Sequence, residues 1–182
     1  MLEEQLILET SRLKLRAYEV GDVDAVASYS TREEFIRFLP LPPQTLESAA
    51  EFVSRIVGGG QPDAKNDWHF AIQIGNTPKL IGTIRIGIRE PEHRQADVGY
   101  ALHHDLWGNG YATEALGRII KFGFEDLSVE RIWATADIDN IASWRVMEKA
   151  GMQREGAMRH HRLIRGIWRD FVLYASIRPR SP

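Results

Sequence analysis

The chain lacks cysteine, a long apolar run and an excess of charge of either sign. None of its 182 residues is a cysteine, which excludes disulfides, cysteine–zinc sites and a reaction through a cysteine acyl-enzyme. No stretch approaches the roughly 20 apolar residues that a membrane-spanning helix needs, so no membrane contact is expected. The formal net charge of −2 gives no reason to expect binding to nucleic acid.

The chain does contain enough apolar sequence to form a core. Hydrophobic residues make up 43% of it, and its length is typical of one domain. We therefore predict a single domain over 1–182. Residues 1–5 lack the basic start and apolar centre of a signal peptide. Together with the absence of cysteine, this favours a cytoplasmic protein.

Hydrophobic periodicity divides the chain into strands and helices. Alternating apolar residues predict half-buried strands, and apolar residues three or four apart predict helices. Strands are expected at 11–17, 68–74, 79–88, 94–102, 131–137, 153–159 and 168–177, helices at 22–30 with Asp22 as cap, 45–57, 112–124 and 140–149, a helical turn at 33–38 and a mobile loop at 58–67. This order predicts an α/β or α+β domain with a mixed sheet, parallel where the helix at 112–124 crosses over.

The stretch from Asp97 to Leu116 combines a strand, a loop with two glycines and the start of a helix. Gly108 and Gly110 let backbone N–H groups approach a ligand, and the first N–H groups of a helix have no partner within it. The pattern therefore indicates an anion site, favoured further by the helix dipole. It lacks the third glycine of a dinucleotide fingerprint and the lysine of a P-loop. An ordinary strand-to-helix connection is the alternative.

The end of the chain is basic. Between Arg154 and Arg180, seven arginines stand against Glu155 and Asp170. A solvated strand face has this composition, and so does a surface that holds an acidic partner or the phosphates of a cofactor.

Four segments in this order resemble the GNAT acetyltransferase superfamily, most of all its RimJ/RimL-type branch, which includes ribosomal-protein N-terminal acetyltransferases. They are the strand at 98–102 and the segments 107–115, 139–143 and 148–156. The resemblance covers about 11–178, which is the expected core of the domain. It implies a GNAT-like mixed sheet of six or seven strands, flanked by helices.

By this resemblance the sheet splays open between the strand ending near Leu102 and the strand at 131–137, and acetyl-CoA lies in the opening. No metal is implied. Unpaired backbone groups at a splayed edge can bond the amide-like pantetheine arm. The main chain at Tyr100, Ala101 and Leu102 is expected to pair with that arm, and the amides of Trp107, Gly108, Asn109, Gly110, Tyr111, Ala112 and Thr113 to hold the pyrophosphate.

Asn140 and Ser143 match positions before and within the last helix of the family. Asn140 is expected in the cofactor site, and it is equally suited to cap the helix. In this branch the serine is proposed to meet the CoA sulfur and donate a proton or order a water, which makes Ser143 the expected catalytic residue. Its alternative role is that of a first-turn serine bonded to the backbone.

Two positions depart from the family pattern. Met147 stands where many members have a tyrosine that protonates the thiolate, so this role passes to Ser143 or to water. Arg162 stands where some ribosomal-protein acetyltransferases have a glutamate base, and arginine cannot serve as one. The general base is therefore open. Candidates for it or for a water relay are Glu34, His69, Asp97, His103 and His104.

We expect direct attack of a primary amine on the thioester carbonyl, polarised by a backbone N–H. A peptide α-amine, with a pKa of about 8, is roughly one-tenth neutral at pH 7. It needs less help from a base than lysine does, which favours a protein or peptide N-terminus as the acceptor. A small-molecule amine is the alternative, and a non-catalytic acyl-CoA-binding domain is a further one.

The acceptor pocket is expected to draw on the region 33–67. Aromatic side chains are candidates for its walls, although each is equally suited to the core. These candidates are Tyr29, Phe35, Phe38, Trp68 and Trp168. A monomer and a homodimer are both compatible with the sequence.

Overall fold

A computed structural model of the chain describes residues 6–59 and 66–179. Within those ranges the chain forms eight strands and five α helices. In chain order they are β1 (Leu8–Glu9), β2 (Leu13–Arg16), α1 (Val23–Ser30), α2 (Glu33–Ile36), α3 (Leu46–Val57), β3 (Asp67–Ile74), β4 (Leu80–Glu90), β5 (Gln95–Leu102), α4 (Tyr111–Glu125), β6 (Arg131–Asp137), α5 (Ile141–Lys149), β7 (Gln153–Ile164) and β8 (Ile167–Ile177). Among these described residues, no helix has the length and apolar character needed to cross a membrane.

All the described strands belong to one sheet in the order β1-β2-β3-β4-β5-β6-β8-β7. Neighbours run antiparallel except β5 and β6, which are parallel because α4 crosses over between them. The predicted mixed fold is confirmed. The described part of the sheet has eight strands, rather than six or seven, because the two-residue β1 pairs with the edge of β2.

Two helix starts show how local sequence sets element boundaries. Thr45 Oγ1 accepts from the Ser48 N–H at 3.2 Å and Ser48 Oγ accepts from the Thr45 N–H at 2.9 Å, a reciprocal cap that starts α3. Asp22 precedes α1 as predicted, but its side chain does not cap the helix. The carboxylate is buried and accepts instead from Arg16 at 2.7 Å. The expected loop at 58–67 lies mostly outside the described residues.

The core lies on both faces of the sheet. On one face, Leu116 and Ile119 of α4 pack against Ile84 and Ile86 of β4, and all four are fully buried. A Cβ added to Gly123 would come within 2.6 Å of Ile132 Cδ1, so a larger residue there would require the Ile132 side chain to shift. The other face is covered by α1 and α3. This packing fixes the start of α4 beside the end of β5.

The β7–β8 hairpin is longer than the sequence pattern predicts. β7 continues five residues past the expected end at Arg159, to Ile164. Its two-residue turn is formed by Arg165 and Gly166, whose φ angles of 49° and 78° are typical of tight hairpins. The hairpin extends beside α2, where Arg165 donates to the Ile36 carbonyl oxygen at 2.8 Å.

Candidate active site

β5 and β6 separate after a short paired segment. Among the described residues they pair at three positions, Gln95 with Arg131, Ala96 with Ile132 and Asp97 with Trp133. Beyond these, β5 continues beside β4 to Leu102, and β6 continues beside β8 to Asp137. The facing edges of the two strands are therefore open, and the splayed sheet that the resemblance implies is confirmed.

The backbone of β5 presents polar groups to this opening. The His103 N–H donates to the Ile81 carbonyl oxygen at 2.8 Å. Because bonded and non-bonded pairs alternate in an antiparallel ladder, Leu102, Tyr100 and Val98 direct their N–H and C=O groups away from β4. The Leu102 oxygen accepts from the Trp107 indole at 3.0 Å. The Asp97–Trp133 pair engages the Val98 N–H, so the Val98 C=O and both main-chain groups of Tyr100 are left for an extended ligand.

The opening leads into a cleft of 770 Å³, within the usual range for a small-molecule site. Eleven of the twelve residues predicted for the cofactor site line it. They are Tyr100, Ala101, Leu102, Trp107, Gly108, Gly110, Tyr111, Ala112, Thr113, Asn140 and Ser143. Asn109 does not line it. Its side-chain amide donates to the carbonyl oxygens of Leu106 and Trp107 at 3.1 and 3.2 Å, which holds the loop in shape.

The glycine loop exposes the start of α4 to the cleft. Gly108 and Gly110 have φ angles of 80° and 79°, in the left-handed region that favours glycine. The first hydrogen bond of the helix runs from the Glu114 N–H to the Gly110 oxygen at 3.0 Å. The amides at 111–113 therefore have no partner within the helix. These amides are available to a ligand, and their binding of an anion stays a prediction.

Side chains from the segment between β1 and β2 hold the glycine loop in place. Glu114 accepts from Thr10 Oγ1 and from Arg12 Nε, each at 2.6 Å. Burial pulls the pKa of Glu114 upward, but these hydrogen bonds outweigh burial and lower the pKa. Arg12 also donates to the Asn109 carbonyl oxygen at 3.0 Å and lies over the Tyr111 ring. Sequence reasoning missed Arg12, because it is about 100 residues from its partners.

Tyr100 and Ser143 meet across the opening. The Tyr100 O–H donates to the Ser143 carbonyl oxygen at 2.7 Å, and the two hydroxyl oxygens are 3.1 Å apart. Burial raises the pKa of Tyr100, and the hydrogen bond with Ser143 opposes this only in part. Asn140 Oδ1 accepts from the Ser143 N–H at 3.2 Å, so Asn140 caps α5 while it lines the cleft. Met147 is buried and carries no proton to donate.

The turn before α5 is held by a buried carboxylate. Asp137 is fully buried and accepts from Arg169 Nε and Nη2 at 2.7 and 2.8 Å. Arg169 also bonds Asp139 at 2.7 Å, and the Asp139 N–H donates to Asp137 at 2.9 Å. The hydrogen bond from Asp137 is the main cause that raises the pKa of Arg169. This network positions Asn140 and Ser143, which follow it directly.

The five candidate bases differ in whether they line the cleft. Glu34 and Asp97 line the cleft, whereas His69, His103 and His104 do not. Asp97 accepts from Arg85 Nη1 and Nη2 at 2.9 and 2.6 Å and from Arg89 Nε at 2.7 Å. Both oxygens of the Asp97 carboxylate are therefore engaged with arginine side chains. Arg162 also lines the cleft.

The aromatic residues predicted for the walls of the acceptor pocket also differ in whether they line the cleft. Phe35 and Phe38 line the cleft, whereas Tyr29, Trp68 and Trp168 do not. Tyr29 is buried against Phe35, with ring centroids 5.5 Å apart. The sequence analysis assigned no role to some lining residues, because their contacts with the cleft depend on the fold. They are Trp133, Thr135 and Phe171 on strands and Arg145 and Lys149 on α5.

Comparison with known proteins identifies the class to which this fold and site belong. The family model described as an acetyltransferase (GNAT) domain matches residues 12–153. The chain therefore belongs to the GNAT acetyltransferase family, and it is an acetyltransferase.

Individual relatives support this assignment over the full length. The chain is 33% identical over 176 residues to the "uncharacterized N-acetyltransferase YoaA" of Bacillus subtilis (strain 168), covering 96% of this chain and 98% of the relative. A crystal structure of a GNAT-family acetyltransferase from Bacillus anthracis has a TM-score of 0.85 and 28% identity, covering 94% of this chain and 98% of that one. RimL, described as a ribosomal L7/L12 alpha-N-protein acetyltransferase in complex with coenzyme A, shares the fold with a TM-score of 0.82 at 21% identity, covering 95% and 98%.

Proposed function

We propose that this acetyltransferase moves the acetyl group of acetyl-CoA to a primary amine, with a protein or peptide N-terminal α-amine as the acceptor class. A small-molecule amine is the second candidate. The observation that supports acetyl-CoA as the donor is the opening between β5 and β6, where unpaired main-chain groups of Val98 and Tyr100 face a cleft that ends at the start of α4.

Each part of the donor has a chemical counterpart along the cleft. The amides of the pantetheine arm match the free C=O group of Val98 and the free N–H and C=O groups of Tyr100. The pyrophosphate matches the partnerless amides at the start of α4. Arg145 and Lys149 of α5 line the same cleft and add positive charge opposite the glycine loop. In this pose the thioester lies beside Ser143.

The reaction forms one N–C bond and breaks one C–S bond. The neutral amine attacks the thioester carbonyl carbon, and a main-chain N–H of β5 stabilises the developing charge on the carbonyl oxygen. The leaving thiolate takes a proton from the Ser143 hydroxyl, directly or through one water. The attacking nitrogen releases its excess proton to water, and Ser143 regains a proton from water, so that no net proton is gained or lost. An α-amine is suited to this site because about a tenth of it is already neutral at pH 7.

An acceptor panel tests the proposal. Release of free CoA is followed with short peptides that have free N-termini, with the same peptides acetylated at the N-terminus, and with small amines. The proposal predicts turnover of free peptides and none of the blocked ones. Turnover of small amines alone would favour the second candidate. Tight acetyl-CoA binding without turnover of any amine would overturn the proposal in favour of a binding domain.

A further inference from the structure

The carboxylates that line the cleft differ in whether they are already paired. The described lining residues include four carboxylates, namely Glu34, Asp97, Asp137 and Asp139. Asp97 is paired with Arg85 and Arg89, and both Asp137 and Asp139 are paired with Arg169. Of these four acids, only Glu34 has no ion pair with another described residue. It is exposed on α2 and free to meet a ligand cation.

Three lining arginines are free in the same sense. Among the described residues, Arg37 directly after α2, Arg145 of α5 and Arg162 of β7 lie outside ion-pair distance of any described acid, and all three are exposed. Arg145 is proposed above to contact the donor, which leaves Arg37 and Arg162 for the acceptor. Each guanidinium lies over a phenyl ring that also lines the cleft, Arg37 over Phe38 at 5.1 Å and Arg162 over Phe171 at 5.6 Å. Stacking holds a guanidinium in place while its N–H groups remain available to an anion.

Hydrogen bonds from Arg165 join the β7–β8 hairpin to the end of α2. Arg165, in the β7–β8 turn, donates to the carbonyl oxygens of Ile36 and Arg37 at 2.8 and 3.2 Å. The hairpin that carries Arg162 is therefore bonded to the segment that carries Glu34 and Arg37. One carboxylate and two arginines thus line a single cleft on elements that are joined to each other.

We propose that the acceptor is an amine that also carries an anionic group, a carboxylate or a phosphate. Glu34 binds the ammonium form of the amine as it enters, and Arg37 and Arg162 bind the anionic group. This inference rests on the proposed function and narrows its substrate class. For a peptide acceptor, it means an acidic side chain next to the N-terminal residue.

Matched acceptors test the inference. The dipeptide amide Ala-Asp is compared with Ala-Asn, which has the same shape without the charge, and 2-aminoethyl phosphate is compared with ethanolamine. A hydrogen bond to a charged group contributes about 1.5–3 kcal/mol, which corresponds to about a tenfold to hundredfold higher kcat/KM for the anionic member. The first pair tests a carboxylate and the second a phosphate.

Variants then assign the preference to residues. The double variant Arg37→Gln/Arg162→Gln should reduce the preference to about threefold or less while kcat/KM for the neutral member is kept. Glu34→Gln should raise KM for both members of a pair equally. Arg55→Gln is the matched control, because Arg55 lies 5.9 Å over the Phe52 ring but outside the cleft. It should behave as the parent protein, and thermal unfolding verifies that every variant is folded.

Failure of this inference and failure of the proposed function give different experimental results. Equal turnover of anionic and neutral acceptors, or a preference that survives the double variant, overturns the inference and leaves the proposed function standing. Absence of turnover with every amine overturns the proposed function. In that case, calorimetric titration of Ala-Asp amide and 2-aminoethyl phosphate into the parent and the double variant decides the anion site, and equal binding rejects it.

Discussion

The phenol of Tyr100 donates to the Ser143 carbonyl oxygen at 2.7 Å and lies 3.1 Å from the Ser143 hydroxyl oxygen. Because the single phenol proton is engaged with the carbonyl, Ser143 is the donor in the longer contact. Tyr100 is thus the acceptor of the serine proton in this structure. In the proposed reaction, the CoA thiolate replaces Tyr100 as the acceptor of that proton.

Replacing Ser143 by alanine tests the proton donor. We expect Ser143→Ala to lower kcat by about tenfold to a hundredfold, at or below the usual range for general acid catalysis, because water can substitute in part. KM for acetyl-CoA should change little, because the main chain supplies most of the binding. Steady-state kinetics with Ser28→Ala as the control measures this, and a parent-like kcat would remove Ser143 from catalysis.

Tyr100→Phe tests whether Tyr100 acts through Ser143. The variant keeps the ring and loses the hydroxyl, so we expect about 1 kcal/mol less stability and a several-fold lower kcat. In the Ser143→Ala background the same change should have no further effect on kcat, since the group that it positions is gone. A double-mutant cycle measures this coupling. Additive losses would show that the two hydroxyls act independently.

Gly110→Val tests the anion loop. Gly110 has a φ of 79°, and an added Cβ would lie 3.4 Å from Arg12 Nη2. A β-branched residue is strained there by at least about 1–2 kcal/mol, so the loop should change shape and the Kd for acetyl-CoA rise about tenfold or more. Calorimetry measures this. Gly117→Ala, inside α4 with no atom within 4 Å of the new Cβ, is the matched control and should bind normally.

Asp137→Asn tests the network before α5. Asp137 is fully buried and holds Arg169 with two charge-assisted hydrogen bonds. We expect a loss of about 2 kcal/mol or more in the free energy of unfolding and a lower kcat, because the segment leading to Ser143 loses its anchor. Asp139→Asn removes the exposed partner of the same arginine and should cost less than about 1 kcal/mol. Chemical denaturation measures both variants, and equal losses in their free energy of unfolding would contradict the anchoring role of Asp137.

Glu114 makes stability depend on pH in the acid range. Its folded-state pKa lies below the usual value of 4.5, so the folded state binds the proton less readily than the unfolded state does. The contribution to stability is therefore complete above pH 4.5 and is lost as the pH falls through the lowered pKa. Thermal unfolding of Glu114→Gln should show a smaller decrease over this window than the parent protein. An unchanged pH dependence would reject the assignment.

Most element boundaries follow from the sequence, because alternation and capping are local properties. β6 has the predicted bounds, and α3 starts after the Thr45 cap. The extension of β7 was missed because residues 160–163 are exposed on a hairpin and show no apolar alternation. Asp22 was assigned the wrong partner, because its carboxylate faces Arg16 on the neighbouring strand.

The site was harder to predict than the fold. Its position came from the resemblance, since nothing in the residues of β5 and β6 shows that their pairing ends at Asp97 and Trp133. The pairing of Asp97 with Arg85 arises across β4 and β5, at a distance that residue spacing does not reveal. The charges that remain free in the cleft could be identified only after these pairs were known.

The short contact between β5 and β6 has a mechanical consequence. The sheet has two parts, β1–β5 and β6–β8, which pair at only three residue positions in the described chain. Helix α4 connects the two parts covalently. An extended molecule that lies between the open edges of β5 and β6 would form hydrogen bonds with both parts of the sheet. Donor binding should therefore stiffen both parts at once, and amide hydrogen exchange should slow along residues 98–102 and 134–137 together.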